Sequence, residues 1–337
     1  MSNNKLVSII IPVFNAEPFI RETLNSVLGQ TYDCLEVICI DDRSTDNSFQ
    51  ICKEYCVDLR VHVFQNEKNS GQEFTRNRGL RFCHGDYFTF VDADDTIDSN
   101  MITRFVFEIE RTNADLVFST FSGVINGHEF PCLASISSGL YSVKEFANYL
   151  LDEVSWNILS CIGSKLYRST QLQDDGIFFK DKYKYNEDCA YAINSLQSAK
   201  TLYFINEPFY KYLLRSSNSA MSSHRKNAFI TNIRVYEELK HLFIEQGIFD
   251  EKEGSYYEAV YQLILSCLIN EVKFGTISDF FDSLKNIRAY YEFREIMFIA
   301  KQRVRIKHKL IVFLLNRKYN YLLYNVLKIY VARKKRW

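Results

Sequence analysis

Apolar and polar positions alternate in a regular order over the first 120 residues. Continuous apolar runs, typical of strands covered on both faces, occur at residues 7–14, 35–40, 60–64, 87–91 and 115–121. Between these runs the apolar residues recur at helical spacing, at residues 17–29, 46–55, 73–83 and 98–111. This β-α-β-α order predicts an α/β fold with a doubly wound, mostly parallel sheet.

The pattern changes further along the chain. Residues 122–220 mix apolar runs with turn signals. From residue 223 onward the pattern is helical, and amphipathic helices are predicted near residues 229–246, 255–273 and 280–301. We therefore expect an α/β domain over residues 1–220 and a helical extension over residues 221–337.

Three carboxylates follow the fourth predicted strand. Asp92, Asp94 and Asp95 lie directly after the apolar run at residues 87–91. Like charges this close repel each other, and burying them is costly unless a cation lies among them. The carboxyl edge of an open α/β sheet binds ligands, and carboxylate oxygens suit Mg²⁺ or Mn²⁺ shared with a substrate phosphate. A solvated turn explains the acid cluster equally well when it is taken alone.

Polar groups also close the first two predicted strands. The residues concerned are Asn15 and Glu17 after the first strand, and Asp41 and Asp42 after the second. Because parallel strands end at the same edge of a sheet, one ligand can touch all of these groups and the acid cluster. The chain has no GxxxxGK and no GxGxxG after the first strand, which disfavours a P-loop enzyme and a dinucleotide-binding domain.

These segments resemble the family 2 glycosyltransferases, which are inverting enzymes of the GT-A fold that use nucleotide sugars. The resemblance covers about residues 5–220 and rests on five motifs in order. They are Pro-x-Phe-Asn at 12–15, Asp-Asp-x-Ser-Thr-Asp at 41–46, Asn-x-Gly with Thr-Arg-Asn-x-Gly at 69–79, Asp-Ala-Asp-Asp at 92–95 and Asn-Glu-Asp at 186–188. The resemblance implies a nucleotide-sugar half at about residues 1–100 and an acceptor half at about residues 101–220.

The resemblance also implies a role for each motif. Asp41 would accept a hydrogen bond from the uracil N3–H of a UDP-sugar, and Asp92 would lie near the ribose and the metal. Asp94 would ligate Mn²⁺ or Mg²⁺, whose charge stabilises the diphosphate leaving group. Asp188 would be the general base that takes the proton from the acceptor hydroxyl. The remaining donor-binding residues implied in this way are Pro12, Phe14, Asn15, Glu17, Asp42, Asn69, Arg76 and Ala93.

Each of these residues also has a purely structural interpretation. Asp41 alone is typical of a turn or a helix cap, and Asp95 either supports the metal shell or caps the next helix. Arg76 lies near the phosphates or forms an ion pair with a neighbouring acid. The pair Glu187-Asp188 alone is typical of a solvated helix start.

The chain departs from the family pattern at two places. Arg43 stands where the family usually has Gly, and its side chain either contacts phosphate or points to solvent. Cys189 and Ala190 stand where many members carry a bulky aromatic residue, so the resemblance defines the reaction but not the acceptor pocket. Lys165, Tyr210 and Tyr212 are weaker candidates for substrate contacts, since aromatic residues after an apolar strand more often belong to the core.

The balanced formal charge of the chain hides a basic tail. Residues 301–337 contain 12 Lys or Arg and no Asp or Glu, while the rest of the chain holds 29 basic and 41 acidic residues. One face of a predicted helix carries Ile311, Leu315, Tyr319, Leu322, Val326 and Tyr330, which favours contact with an anionic membrane surface. A helix packed on the body with solvated charges is the alternative. No nucleic acid is expected as a partner.

The cysteines and the apolar runs predict the location of the protein. Nine cysteines without a CxxC pair fit a reducing cytoplasm, and no run approaches the roughly 20 apolar residues of a membrane span. We expect a cytoplasmic protein, peripheral on the cytoplasmic face of the inner membrane.

The function predicted by the resemblance is inverting, metal-dependent transfer of a hexose or N-acetylhexosamine from a UDP-sugar. The acceptor is a glycan or lipid-linked glycan in the synthesis of surface polysaccharide or lipopolysaccharide. A nucleotidyltransferase on a similar fold is one alternative, but such an enzyme would carry an early glycine-rich, basic phosphate loop. A non-enzymatic module that binds a membrane or nucleic acid is the other, and the presence of Asp41, Asp94 and Asp188 together argues against it.

Overall fold

The computed structural model describes residues 5–151, 153–170, 178–180, 183, 186–214, 224, 226, 228–304 and 306–334. The chain divides into two compact units. The sheet unit consists of residues 1–181 and 187–215, and the helical unit consists of residues 182–186 and 216–337.

The sheet unit is built on one ten-stranded sheet. Its strands in chain order are β1 (Val7–Val13), β2 (Leu35–Asp41), β3 (Val61–Gln65), β4 (Tyr87–Phe90), β5 (Thr96–Ile97), β6 (Leu116–Ile125), β7 (His128–Cys132), β8 (Gly139–Ser142), β9 (Lys165–Arg168) and β10 (Thr201–Leu213). The spatial order is β3-β2-β1-β4-β9-β6-β10-β5, with β7 beside β6 and β8 beside β10. β1 pairs in parallel with both β2 and β4, and β2 pairs in parallel with β3.

Among the described residues, seven α-helices accompany the sheet. They are α1 (Ile20–Leu28), α2 (Ser48–Glu54), α3 (Gln72–Arg81), α4 (Met101–Thr112), α5 (Val143–Ala147), α6 (Glu153–Ser160) and α7 (Glu187–Gln197). Every residue of β1 and β2 is buried, as expected for central parallel strands covered on both faces. The predicted α/β fold is therefore confirmed, and the five predicted strands correspond to β1, β2, β3, β4 and β6.

Helix α3 lies against β1 at a glycine. A Cβ atom on Gly79 would lie 2.4 Å from Cγ2 of Ile10, so only glycine permits this close approach. This contact gives a physical reason for the glycine that ends the motif at residues 69–79, because it fixes the helix that carries Arg76.

The second half of the sheet is mixed, and the sequence pattern does not reveal its order. β9 runs antiparallel between β4 and β6, while the long strand β10 runs parallel to β6 with irregular register near Pro208. The short strand β5 pairs antiparallel with β10 at Ile97 and Tyr210. Strand β10 thereby reaches the loop that follows β4.

The helical unit contains α8 (Ala228–Glu245), α9 (Phe249–Phe274), α10 (Ile277–Ala289), α11 (Phe293–Arg303), α12 (Ile306–Arg317) and α13 (Asn320–Lys334). The single helix predicted over residues 280–301 was wrong, because the chain leaves helical geometry at Tyr290, whose ψ is 132°. The tail is also two helices, not one. α12 ends in a Schellman motif, in which the Tyr319 amide donates to the Leu314 carbonyl and Lys318 takes a φ of 61°.

The predicted apolar face of the tail does not form. Ile311 and Leu315 are buried in the core of the helical unit, whereas Tyr319 and Leu322 are more than half exposed. The break at Lys318 rotates the second helix relative to the first, so a face drawn for one continuous helix is divided. Among the described residues, no helix combines the length and the apolar character that crossing a membrane requires.

Candidate functional site

The carboxyl ends of four parallel strands meet at one edge of the sheet. Val13 at the end of β1 is in register with Asp41 of β2, and Asp41 is in register with Gln65 of β3. The Val91 amide donates to the Ile10 carbonyl, which keeps the start of the acid cluster beside β1. The edge therefore brings together the polar groups that the sequence placed after separate strands.

Asp41 carries an unsatisfied oxygen in the interior. One carboxylate oxygen, Oδ2, accepts hydrogen bonds from the Ser44 amide at 3.1 Å and from the Gln65 side chain at 2.9 Å. The other oxygen, Oδ1, is buried and has no hydrogen-bond partner among the described residues. A buried acceptor without a donor costs about 1–3 kcal/mol, so this position is suited to an N–H or O–H group of a ligand.

Asp42 has a structural role, since its carboxylate accepts hydrogen bonds within the protein. Its carboxylate accepts hydrogen bonds from the Asn66 side chain at 2.7 Å and from the backbone amides of Ser70 and Gly71, both at 2.8 Å. These bonds hold the loop between β3 and α3 against the end of β2. Asn69, also predicted at the donor site, is exposed on this loop.

The loops that follow β1 and β2 are bonded to each other. The Asn15 side-chain oxygen accepts from the Thr45 amide at 2.8 Å, and Glu17 accepts from the backbone and the side chain of Asn47. Pro12 lies within β1, and the Phe14 ring beyond its end is 47% exposed. Asn15 and Glu17 therefore shape this edge, and Phe14 is free to pack on a planar ligand.

Arg43 adopts a backbone conformation that favours glycine. Its φ is 63°, and its guanidinium donates to the Gln65 side-chain oxygen at 3.1 Å. The left-handed conformation costs roughly 1–2 kcal/mol for a residue with a Cβ atom. The departure from the family's glycine thus leaves the turn unchanged and places a cation beside the Gln65–Asp41 hydrogen bond.

Arg43→Gly should stabilise the protein by about 1 kcal/mol, since the strain is relieved while one exposed hydrogen bond is lost. Urea unfolding measures the change. Arg43→Ala is the matched control, because it removes the same hydrogen bond and keeps the strain. Equal stabilities of the Gly and Ala variants would show that the turn is not strained.

The acid cluster divides into exposed and buried members. Asp92 is partly exposed, and Asp94 is also intermediate in exposure, whereas Asp95 is buried. Asp95 accepts from the Tyr210 hydroxyl at 2.7 Å and from the Leu213 amide at 2.8 Å. Burial and the neighbouring Asp92 and Asp94 raise the pKa of Asp95 well above its usual value. Asp95 therefore anchors the loop to β10.

The acid cluster at residues 92–95 fits a metal ion whose other ligands would come from a substrate phosphate. Within the described residues, no group of three or more His, Cys, Asp and Glu side chains is placed to hold an ion. Both described hydrogen bonds to Asp92 go to Oδ1, which leaves its Oδ2 available beside Asp94. Two carboxylates of hard oxygen character suit Mn²⁺ or Mg²⁺ when the remaining ligands come from phosphate and water.

Arg76 connects the acid cluster to the candidate base. Its guanidinium is fully buried and donates to Asp92 at 2.8 Å and to Asp188 at 2.5 Å. The guanidinium also lies over the Phe179 ring, 5.2 Å from its centroid. The ion-pair interpretation is therefore correct, and the pair lies beside the acid cluster. A contact between Arg76 and phosphate stays a prediction.

Asp188 lies in the first turn of helix α7, beside Arg76. Its side chain is 24% exposed, so it is held by Arg76 and is still accessible. Burial raises the pKa of Asp188 to about 7, the Arg76 cation opposes this rise, and the charges of Glu187 and Asp92 add to it. A base with a pKa near neutrality is well matched to proton abstraction.

Other candidates have structural roles. Lys165 is buried and donates to the carbonyls of Ile158 and Cys161, and burial lowers its pKa to about 8. The Tyr210 hydroxyl also accepts from the Asp92 amide at 3.1 Å. Ala93 is buried, and its carbonyl accepts from Thr23 at 3.0 Å. These residues hold the site in shape.

Two further residues of the candidate site are not marked by any sequence motif. Gln65 orients the Asp41 carboxylate, and only its position at the end of β3 could have indicated it. Glu187 has a buried oxygen, Oε2, without a hydrogen-bond partner among the described residues, and burial raises its pKa. It was noted only as the neighbour of the base.

The chain is similar to known glycosyltransferases. A profile of Glycosyl transferase family 2 matches residues 8–150. TuaG of Bacillus subtilis, named for teichuronic acid biosynthesis, is 30% identical over 247 residues, which cover 72% of this chain and 92% of TuaG. The poly(ribitol-phosphate) beta-N-acetylglucosaminyltransferase TarS of Staphylococcus aureus is 30% identical over 241 residues, which cover 71% of this chain and 40% of TarS.

Solved structures share the fold. The crystal structure of S. aureus TarS 1–349 in complex with UDP-GlcNAc has a TM-score of 0.72 at 22% identity and covers 96% of this chain and 91% of that one. The mannosyltransferase PcManGT of Pyrobaculum calidifontis, in complex with GDP-Man and Mn²⁺, has a TM-score of 0.50 at 16% identity. The match covers 100% of this chain and 88% of the PcManGT chain.

The fold and the carboxylate-lined edge define a glycosyltransferase of the GT-A type. The chain belongs to glycosyl transferase family 2. The non-enzymatic module and the nucleotidyltransferase are thereby set aside.

Proposed function

We propose that this glycosyltransferase transfers a hexose or N-acetylhexosamine from a UDP-sugar, with inversion, to a glycan or lipid-linked glycan acceptor in surface polysaccharide synthesis. The observation that carries the proposal is the position of Arg76. One buried guanidinium holds Asp92 and Asp188 together, so the donor end and the candidate base are within reach of one substrate pair.

Two observations support a uridine nucleotide, and a third supports a nucleobase in general. The buried Oδ1 of Asp41 requires a donor, and the N3–H of uracil is such a group. TarS, whose structure was solved with UDP-GlcNAc, is the structural neighbour with the higher TM-score, whereas PcManGT was solved with GDP-Man. The exposed Phe14 ring beside this edge can pack against the base.

The residues suggest a single-displacement reaction. Asp188 removes the proton from an acceptor hydroxyl as that oxygen attacks the anomeric carbon from the side opposite the nucleotide. The C–O bond to the diphosphate breaks as the new bond forms, so an α-linked donor gives a β-glycoside. Asp94 and Asp92 would hold a Mn²⁺ or Mg²⁺ ion, which when bound would supply positive charge for the departing diphosphate. Arg76 keeps the base oriented throughout.

Donor binding is tested by thermal unfolding with UDP, GDP, TDP and CMP, each with and without Mn²⁺. We expect UDP with Mn²⁺ to raise the midpoint by several degrees at saturation, because a ligand stabilises the state that binds it. Asp94→Ala should remove the Mn²⁺ dependence, and Asp41→Asn should weaken the UDP response.

The matched control is Asp282→Asn, which changes an exposed carboxylate in the helical unit and should leave both responses intact. A response to GDP in place of UDP would reassign the nucleotide. No response to any nucleotide in a folded sample would contradict a donor site at this edge.

We further propose that the enzyme acts in the cytoplasm, at the inner membrane surface. Exposed aromatic side chains of the tail, Phe313, Tyr319 and Tyr321, lie among exposed basic residues such as Arg317 and Lys318. Such a combination favours an anionic lipid surface. Residues 335–337, which complete the basic cluster in the sequence, lie outside the described residues.

A further inference from the structure

A cationic cleft lies wholly within the helical unit. It has a volume of about 770 Å³ and is formed by α10, the start of α11 and the turn between α12 and α13. Four basic side chains line it, and Glu295 is the acidic side chain among the lining residues. The four are Lys285, Arg288, Arg294 and Lys318. This volume falls in the range that binds small organic ligands rather than single ions.

Arg288 is the innermost cation, and its described partners are all neutral. It donates to the Leu315 carbonyl from Nε at 3.2 Å and from a terminal nitrogen at 2.9 Å, and to the Asn320 side chain at 2.7 Å. A guanidinium has five N–H groups, so two remain for another acceptor. Burial lowers the pKa of Arg288, which means that its charge is partly desolvated without compensation by an anion.

Lys318 reaches the cleft from a strained position. It occupies the left-handed residue of the Schellman motif that ends α12, where glycine is usual. A cation is thus present at a backbone position where it costs stability. The next helix, α13, begins at Asn320 beside the cleft, and the partial positive charge of its N-terminus adds to that of the basic side chains.

Aromatic side chains supply the remaining wall. Phe281, Tyr290, Tyr291 and Phe293 line the cleft, and the Tyr291 ring is 70% exposed. Flat rings of this kind pack against the C–H faces of sugars, while guanidinium and ammonium groups bind phosphate oxygens. We propose that this cleft binds a phosphate ester carried on a polyhydroxylated group, such as a sugar phosphate. The proposal concerns the helical unit alone and is independent of the transferase reaction.

Calorimetric titration of the full chain tests the proposal with glucose 1-phosphate and with glucose as the uncharged control. We expect saturable binding of glucose 1-phosphate only. Lys285→Glu/Arg294→Glu should weaken this binding roughly tenfold, since two exposed attractive charges are reversed. Lys318→Gly should weaken it too while raising the thermal midpoint, so loss of binding cannot be ascribed to unfolding.

A vesicle experiment distinguishes the source of the phosphate. Vesicles with equal parts of phosphatidylglycerol and phosphatidylcholine are compared with phosphatidylcholine alone by co-sedimentation. If binding to the vesicles depends on the cleft residues, a lipid headgroup is the source of the phosphate. If only the binding of glucose 1-phosphate depends on them, the source is a soluble or polymer-borne phosphate.

The matched control is Lys144→Glu/Lys273→Glu, which reverses two exposed charges away from the cleft. Equal losses in the control and cleft variants would mean that binding depends on net charge, and the proposal would fail. It would also fail if glucose bound as well as glucose 1-phosphate, or if neither the titration nor the vesicles showed binding that depends on the cleft.

Discussion

Asp188→Asn is expected to lower kcat by about 10²–10⁴-fold, the usual contribution of a positioned general base. The amide is close in size to the carboxylate, but it cannot take a proton at neutral pH. Donor binding should persist, because the change leaves the proposed donor residues Asp41, Asp92 and Asp94 in place. Initial rates with a UDP-sugar, together with the UDP-dependent thermal shift, measure the two effects separately.

Glu187→Gln is the control for this experiment, since it neutralises the adjacent acid and leaves Asp188 in place. A larger loss of kcat in Glu187→Gln than in Asp188→Asn would move the role of base to Glu187. The pH profile gives an independent measure. With a pKa of about 7 for Asp188, kcat/KM should fall as pH is lowered through 7, because protonation removes the base.

Arg76→Leu is expected to destabilise the protein by roughly 3–5 kcal/mol near neutral pH, because it leaves two partly buried carboxylates without their cation. The loss should become smaller as pH falls, since a protonated Asp188 needs no counter-ion. Removing the cation also raises the pKa of Asp188, so any residual activity should begin at higher pH than in the wild type.

Urea unfolding at several pH values measures this loss. Arg76→Lys is the conservative comparison, since it keeps the charge but cannot bond two carboxylates in the same geometry. Arg81→Leu removes an exposed arginine from the same helix and should change stability by no more than about 0.5 kcal/mol. Similar losses for Arg76→Leu and Arg81→Leu would mean that the buried bridge contributes little.

The parallel half of the sheet is predictable from the sequence because its strands are covered on both faces. Each of β1 and β2 is a continuous apolar run, and the polar residues that follow them mark where they end. The mixed half is not predictable in this way. β9 has only four residues, one of them a fully buried lysine, and its neighbours β4 and β6 are distant in sequence.

Helix breaks without proline or glycine are equally hidden. Residues 290–292 and Lys318 interrupt helical geometry although the apolar period continues across both points. The apolar side chains before and after Lys318 belong to different helices. Ile311 and Leu315, which precede the break, are buried. The hydrophobic pattern gives no reason to place a helix boundary at Lys318. The predicted membrane-binding face therefore includes residues from both sides of a turn.

The candidate site shows the same division. The sequence identified Asp41, Asp42, Arg76 and Asp188, but their partners are set by the tertiary structure. Arg76 donates hydrogen bonds to Asp92 and Asp188, which are 16 and 112 positions away along the chain. The adjacent residues Asp41 and Asp42 cannot be separated by pattern. The structure separates them, because one keeps an unsatisfied buried oxygen and the other is fully used by the protein.

The hydrogen bonds of Asp42 have a consequence for affinity. They fix the backbone of Ser70 and Gly71 through contacts within the protein itself. The loss of conformational entropy of this loop is therefore a cost of folding and not of ligand association. A ligand that reaches this edge meets a preorganised wall, so its affinity depends on the contacts that it adds.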